Sequence, residues 1–229
     1  VTSLQITAPT GVLYAYFIDP GENAVIPFTE GNGDYTVVGY QQIQGDQYAA
    51  LYSEILTVEL ENDFFPFLYP NQYVNFSPDS EASKLALSMV SEDTTDVDAL
   101  KQIYNYVVNN LTYDYDKAET VETGYLPDVD ETLSTKTGIC FDYAALTTAM
   151  LRSCDIPCKL QIGYTGDIKH AWIDVYIRSK GWVTGAVSFN GDSWSLMDPT
   201  FDSSADSDDT EAIQDYIGNA DNYTVQFTR

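Results

Sequence analysis

Thr137-Gly138-Ile139-Cys140-Phe141-Asp142-Tyr143-Ala144 is the stretch whose reading decides the fold. From Gly138 to Ser153, Tyr143, Leu146, Ala149, Met150 and Leu151 supply one buried side, so a helix starts close to Cys140. Gly138 lets backbone approach closely just ahead of the thiol. A thiol is a useful nucleophile only as thiolate. A helix N-terminus and a neighbouring imidazolium both favour that form. The chain holds a single histidine, His170, in Lys169-His170-Ala171-Trp172-Ile173-Asp174, at the start of a strand-like run to Ile177. One imidazole cannot build a His-rich metal site, so no metal and no cofactor is expected. It can serve one Cys-His pair. Asp198, in Trp194-Ser195-Leu196-Met197-Asp198-Pro199-Thr200, would accept from the second ring nitrogen and fix its tautomer. Pro199 lacks an N–H and ends that strand. Cys140, His170 and Asp198 together read as a catalytic triad.

Composition narrows the rest. The 229 residues are 44% hydrophobic and 14% aromatic, ample for a packed core. Thirty-five acidic and 10 basic residues give a formal charge of −25. That balance argues against nucleic acid as a partner, because nothing basic is present in quantity to displace counterions. It fits a solubility charge on an exported protein, and also attraction of basic protein substrates. No apolar run is long enough to span a membrane. The chain opens at Val1 without a signal-like stretch, which reads as a mature protein whose signal or lipoprotein segment has been removed. An extracellular or cell-surface location is the expectation. The three cysteines are no disulfide scaffold. Cys154 and Cys158 flank Asp155-Ile156-Pro157, and two buried thiols are expected there rather than a bridge.

Residues 1–77 read as a β-rich domain and 78–229 as a catalytic domain. Strands are expected at Gly11–Ile18, Tyr35–Tyr40 and Ile55–Leu60, with 24–28 as the partner arm of Tyr35–Tyr40 across Gly31-Asn32-Gly33-Asp34. Phe64–Pro70 is aromatic and broken by proline, an irregular buried edge. A helix starts at Ser77–Glu81 and a second runs from Asp96 to about Asn110. Asp116–Thr137 lacks periodicity and reads as a long surface loop. Cys158–Tyr164, His170–Ile177 and Trp194–Met197 read as strands, with hairpin material at Gly181–Val187. Ser203–Asp209 is acidic but lacks the residue order of an EF-hand, and reads as a solvated loop.

The Thr137–Ala144 segment, followed by Met150-Leu151-Arg152 and Asp155-Ile156-Pro157, resembles the nucleophile segment of the transglutaminase-like superfamily. His170-Ala171-Trp172 and Met197-Asp198-Pro199-Thr200 are similar to its His and Asp segments, and the resemblance covers about residues 80–202. It implies an α+β fold: a papain-like core in which the nucleophile helix packs on an antiparallel sheet, here preceded by a small β-rich domain. It implies acyl chemistry at amides of a protein or peptide substrate, cell-wall peptide included, in a bacterial exported member. Cys140 would attack the carbonyl, His170 would protonate the departing amine, and an amine or water would then release the acyl group. The oxyanion would take the Cys140 N–H and a side-chain donor from upstream, with Tyr113 and Tyr115 as candidates. Trp172 would wall the cleft, and Asp142 would cap or orient the helix start. Transferase and hydrolase both stay open. The alternative is a catalytically silent binding or structural module, since some members have lost activity.

Overall fold

The structure, a computed structural model, describes residues 2–18, 21, 23–45, 47–122, 124–189, 194–196 and 223–229. The chain divides into two compact units, Val1–Pro66 and Phe67–Arg229.

The first unit is a four-stranded antiparallel sheet of β1 (Thr2–Thr7), β2 (Leu13–Ile18), β3 (Gly33–Gln44) and β4 (Gln47–Val58), in the order β2-β1-β3-β4. Alternation along β3 buries Tyr35, Val37 and Gly39. These join Ile6, Tyr14 and Tyr16 in a small core. Phe28 closes it, its ring 4.7 Å from that of Tyr35. The partners of β3 are therefore β1 and β4 and not residues 24–28, which form no strand. Phe28 carries no regular pairing because its work is done by the ring. The four-residue polar cluster at Gly31–Asp34 leads into β3, and the tight hairpin lies further on, between Gln44 and Gln47.

In the second unit, β7 (Cys158–Thr165), β8 (Ile168–Ile177), β9 (Gly181–Phe189), β10 (Trp194–Leu196) and β11 (Tyr223–Thr228) form an antiparallel sheet ordered β10-β9-β8-β7-β11. Helices α1 (Glu81–Met89), α2 (Asp96–Asn110), α4 (Val129–Thr135) and α5 (Cys140–Ser153) pack together, with α5 against β7 and β8. Helix α5 is buried from Asp142 to Arg152, so it is the centre of the unit rather than a surface helix. Leu146, Met150 and Leu151 are fully buried, each contributing about 1.5–3 kcal/mol of transfer free energy. Ala171, Ile173, Val175 and Ile177 of β8 share that core. The spacing of two puts His170, Trp172 and Asp174 on the other face of β8.

Two expectations change here. The boundary falls at Pro66/Phe67, ahead of residue 77, because 67–77 pack with the second unit: Val74 is fully buried in its core and Phe67 meets Trp182 edge-on. The stretch 116–137 is not a plain loop. It holds α3 (Tyr115–Thr120) and α4, each started by an aspartate accepting from backbone N–H groups, Asp114 and Asp128. Both helices are too short to show a period. Asp198 and Ser203–Asp209 lie outside the described residues. Cys140, Cys154 and Cys158 are all free thiols. Cys158 is buried, with its thiol on the Thr148 hydroxyl at 3.5 Å.

Candidate active site

Three elements converge on Cys140. The first is the start of α5, where the unpaired N–H groups of the first turn find local acceptors. Ile139 donates to Asp142 Oδ2 at 2.8 Å. The Phe141 N–H donates to the Cys140 sulfur. The Cys140 N–H donates to the Tyr113 hydroxyl. The second element is β8: the Ala171 N–H, directly after His170, also donates to the sulfur. In register, β9 pairs with β8 only from Ile173 onward, so His170 and Ala171 lie beyond the paired stretch. The third is β5 (Thr112–Tyr113), a short strand running parallel to β6 (Thr137–Gly138). That pairing fixes Tyr113 beside Gly138, two residues before the thiol. The Tyr113 hydroxyl donates to the sulfur as a third donor. A Cβ on Gly138 would stand 2.6 Å from the Cβ of Asp142, so only glycine lets the helix start this close.

The charges around the thiol form a built network. Asp142 is fully buried. Its carboxylate accepts from Ile139, from Lys117 Nζ at 2.8 Å and from the Tyr125 hydroxyl. Lys117 also donates to Tyr125 at 2.7 Å and lies 4.4 Å from the centre of that ring. Burial pulls the Lys117 ammonium down, the hydrogen bonds to Asp142 and Tyr125 push it up by more, and its pKa ends above the ordinary value. Lys117 and Tyr125 both come from the stretch read as a plain loop. Nothing in their spacing pointed to Asp142.

Sequence spacing led to the expectation of a thiolate beside an imidazolium. The described groups favour the uncharged pair instead. Burial raises the Cys140 thiol, and the nearby Asp142 charge adds to it. Three hydrogen-bond donors at the sulfur oppose this and lose. Burial also takes the His170 imidazole down to about 4. Its ring stacks nearly parallel to that of Trp172, at 6.2 Å between centres. Trp172 is itself buried, against Tyr223 at 5.1 Å, so it backs the imidazole from inside the protein rather than lining an open cleft. Tyr115 is 58% exposed and packs edge-on against the Tyr113 ring at 4.9 Å. On the same face of β8, Asp174 is held by the Gly185 N–H at 2.6 Å and Gln161 at 2.8 Å, while burial raises its pKa.

Two expected results follow. Between pH 6.5 and about 4 the unfolded chain protonates its histidine while the folded chain does not. The folded state thus loses stability as pH falls through that window, and gains none above it. Urea unfolding followed by tryptophan fluorescence should show a smaller loss between those pH values in His170→Gln than in the wild type. Equal slopes would place the imidazole in a solvated setting. Lys117→Met leaves Asp142 buried without its cation, at a cost of about 2 kcal/mol, below the range for a fully buried pair because Lys117 is partly exposed. Adding Asp142→Asn should recover part of the loss, and a double-mutant cycle with no coupling would refute the pairing.

Residues 83–185 match the family model of the transglutaminase-like superfamily. The uncharacterized protein YebA of Bacillus subtilis is 24% identical over 183 residues, covering 70% of this chain and 25% of that protein. The UPF0252 protein MJ1282 of Methanocaldococcus jannaschii is 40% identical over 62 residues, covering 25% of this chain and 18% of that one. The chain thus spans a quarter or less of the length of these curated relatives. A crystal structure of a proposed cysteine protease from Cytophaga hutchinsonii aligns with 17% identity and a TM-score of 0.49, over 100% of this chain and 76% of that one. The matched residues 83–185 include the Cys140 helix packed on the strand of His170, and over that stretch the chain is similar to the transglutaminase-like superfamily.

Proposed function

We propose that the second unit is a cysteine acyltransferase or peptidase acting on amide bonds of a protein or peptide, with Cys140 as nucleophile. The observation that carries this reading is the sulfur itself: it sits at the start of a buried helix, held by the N–H that follows His170 and by the Tyr113 hydroxyl. In this reading His170 takes the thiol proton as Cys140 attacks the carbonyl and passes it to the departing amine, which requires its ring, stacked on Trp172 in the resting structure, to reach the sulfur beside the Ala171 N–H. A neutral imidazole is the form able to accept that proton. Asp198 orients the ring from outside the described residues. The developing oxyanion takes the Cys140 N–H and the Tyr113 hydroxyl, which in the resting site are hydrogen-bonded to each other beside the sulfur. Water or an amine then attacks the thioester and frees Cys140. The acidic composition supports an extracellular or cell-surface setting, which fractionation of the native host would check.

The test is adduct trapping. Incubation with a peptide library that includes cell-wall peptides should leave an acyl group on Cys140, visible by mass spectrometry and absent in Cys140→Ala. Methylamine in the mixture should divert the product to an N-methyl amide in a transferase and leave it a free acid in a hydrolase. The second reading, a silent binding module, draws on the burial that raises the thiol and lowers the imidazole. No adduct on Cys140 with any peptide, together with ordinary slow alkylation of the thiol, would decide for it.

A further inference from the structure

The outer edge of the first unit is unlike the rest of the chain. Among the described residues, strand β4 pairs with β3 on one side and ends the sheet on the other. Ten of its twelve residues are exposed, on both faces. Leu51 is 59% exposed, Tyr52 51% and Ile55 65%. Natural edge strands usually carry lysine, proline or a close run of charges that discourage a new partner. Strand β4 has neither Lys nor Pro and one charge, Glu54. A bulge at Leu51 interrupts the pairing, yet Tyr52–Val58 runs in clean register with Gly33–Gly39. That leaves seven residues of regular edge. The Tyr52 ring covers Gly39 on the neighbouring strand, within 2.2 Å of where a Cβ would stand.

The charge on this unit indicates which partner fits. Residues 1–66 hold nine Asp and Glu and no Lys, Arg or His. Glu54 sits in the middle of the open edge, and Glu59, Glu61 and Asp63 are exposed just past its end. A second copy on the same edge would set acid against acid with no cation in either unit to separate them. An acidic segment would meet the same repulsion, and like charges across a strand pair are destabilising.

We propose that the Tyr52–Val58 edge docks an extended, lysine- or arginine-bearing segment of another polypeptide by strand addition. Main-chain hydrogen bonds to the open edge supply the affinity, and alternate side chains supply the selection. Apolar residues of the segment lie beside Ile55, on the face opposite Glu54. Its cations lie across from Glu54 and along Glu59, Glu61 and Asp63. The same charges draw the segment in from a distance, so the association weakens as salt screens them.

The probe is a short peptide alternating lysine and valine, added to the full chain. Amide exchange of Tyr52–Val58 should slow about tenfold or more at saturation, in low salt, and recover in high salt. The same peptide with glutamate for lysine should give no protection. Ile55→Lys, at a position exposed enough to leave the fold intact, should weaken binding about tenfold by adding a like charge and removing an apolar contact. Protection by the glutamate peptide, or unchanged binding to Ile55→Lys, overturns the proposal. So does a dimer in sedimentation equilibrium whose Tyr52–Val58 amides are protected without peptide, since the occupant is then a second copy. None of these readouts uses Cys140, so the docking and the acyl chemistry stand or fall separately.

Discussion

Arg152→Leu should lower the stability of the second unit by about 4 kcal/mol, near the middle of the range for a buried group that loses its partner. Arg152 is buried near the end of α5 without a carboxylate beside it among the described residues. Its guanidinium instead gathers three carbonyls from separate segments. It donates to Cys158 O through Nε at 3.0 Å and Nη2 at 2.8 Å, to Arg229 O at 2.9 Å, and to Tyr69 O at 2.8 Å. Burial lowers its pKa to about 10, so it still carries its charge at neutral pH. A buried carbonyl without a donor costs about 1–3 kcal/mol; leucine would take the guanidinium from three, of which Arg229 O keeps the Leu160 N–H at 2.9 Å. Arg152→Lys should recover little, because one ammonium cannot reproduce the planar fork. All three tryptophans lie beyond residue 66, so fluorescence reports this unit alone. At about 2–4 °C per kcal/mol, the melting temperature should drop by roughly 8–16 °C. A drop under about 2 °C would show that the three carbonyls find other donors.

That arginine also shows where sequence reading ran out. Its segment, Met150-Leu151-Arg152, helped to carry the family resemblance, yet its neighbours in space are Tyr69 and Arg229, far off in the chain. The fold class was legible because it rests on local periods: spacing near 3.6 through α2 and α5, and alternation in β8. The helix of Cys140 and the strand of His170 follow from those periods, and the structure does bring them together. What lacked a period was missed. Helices α3 and α4 have six and seven residues, too few to mark a face. Their signal was the start, Asp114 and Asp128 ahead of polar turns, which also reads as loop. Strand β4 misled in the opposite sense: exposed on both faces, it shows no alternation, and only its last part, from Ile55, was read as strand.

Within the candidate site, the elements that carry Cys140 and His170 are legible in the sequence and the electrostatics are not. Cys140 and His170 follow from the rarity of histidine and from the helix start. The balance between helix N-terminus and burial depends on how much protein surrounds the sulfur, and no spacing rule supplies that. Lys117 and Tyr125 belong to the same blind spot. They reach Asp142 only because α3 and the chain after it fold back over the start of α5. Tyr113 comes into view only through the resemblance, which implies a side-chain donor upstream of the cysteine, and its hydroxyl does meet the sulfur.

Tyr113→Phe should therefore lower turnover by about a hundredfold, the loss typical of one oxyanion donor, with little change in KM. The substitution removes one hydroxyl and leaves the ring in place between Tyr115, at 4.9 Å, and Tyr143, at 6.3 Å. Burial holds the Tyr113 phenol up at about 12, so it is a neutral donor through the working range. In the resting site that hydroxyl donates to the sulfur while accepting from the Cys140 N–H. In the proposed reaction an incoming oxyanion would take over both donors, and the sulfur, then bonded to carbon, would no longer need one. The two roles separate experimentally. If the hydroxyl mainly holds the thiolate, alkylation of Cys140 by iodoacetamide slows in step with turnover. If it mainly holds the oxyanion, turnover falls while alkylation, which forms no oxyanion, changes little. The second outcome is the expected one, because burial keeps the resting thiol protonated even with the hydroxyl in place. Turnover within about threefold of the wild type would remove Tyr113 from the chemistry and leave it as packing under Tyr115.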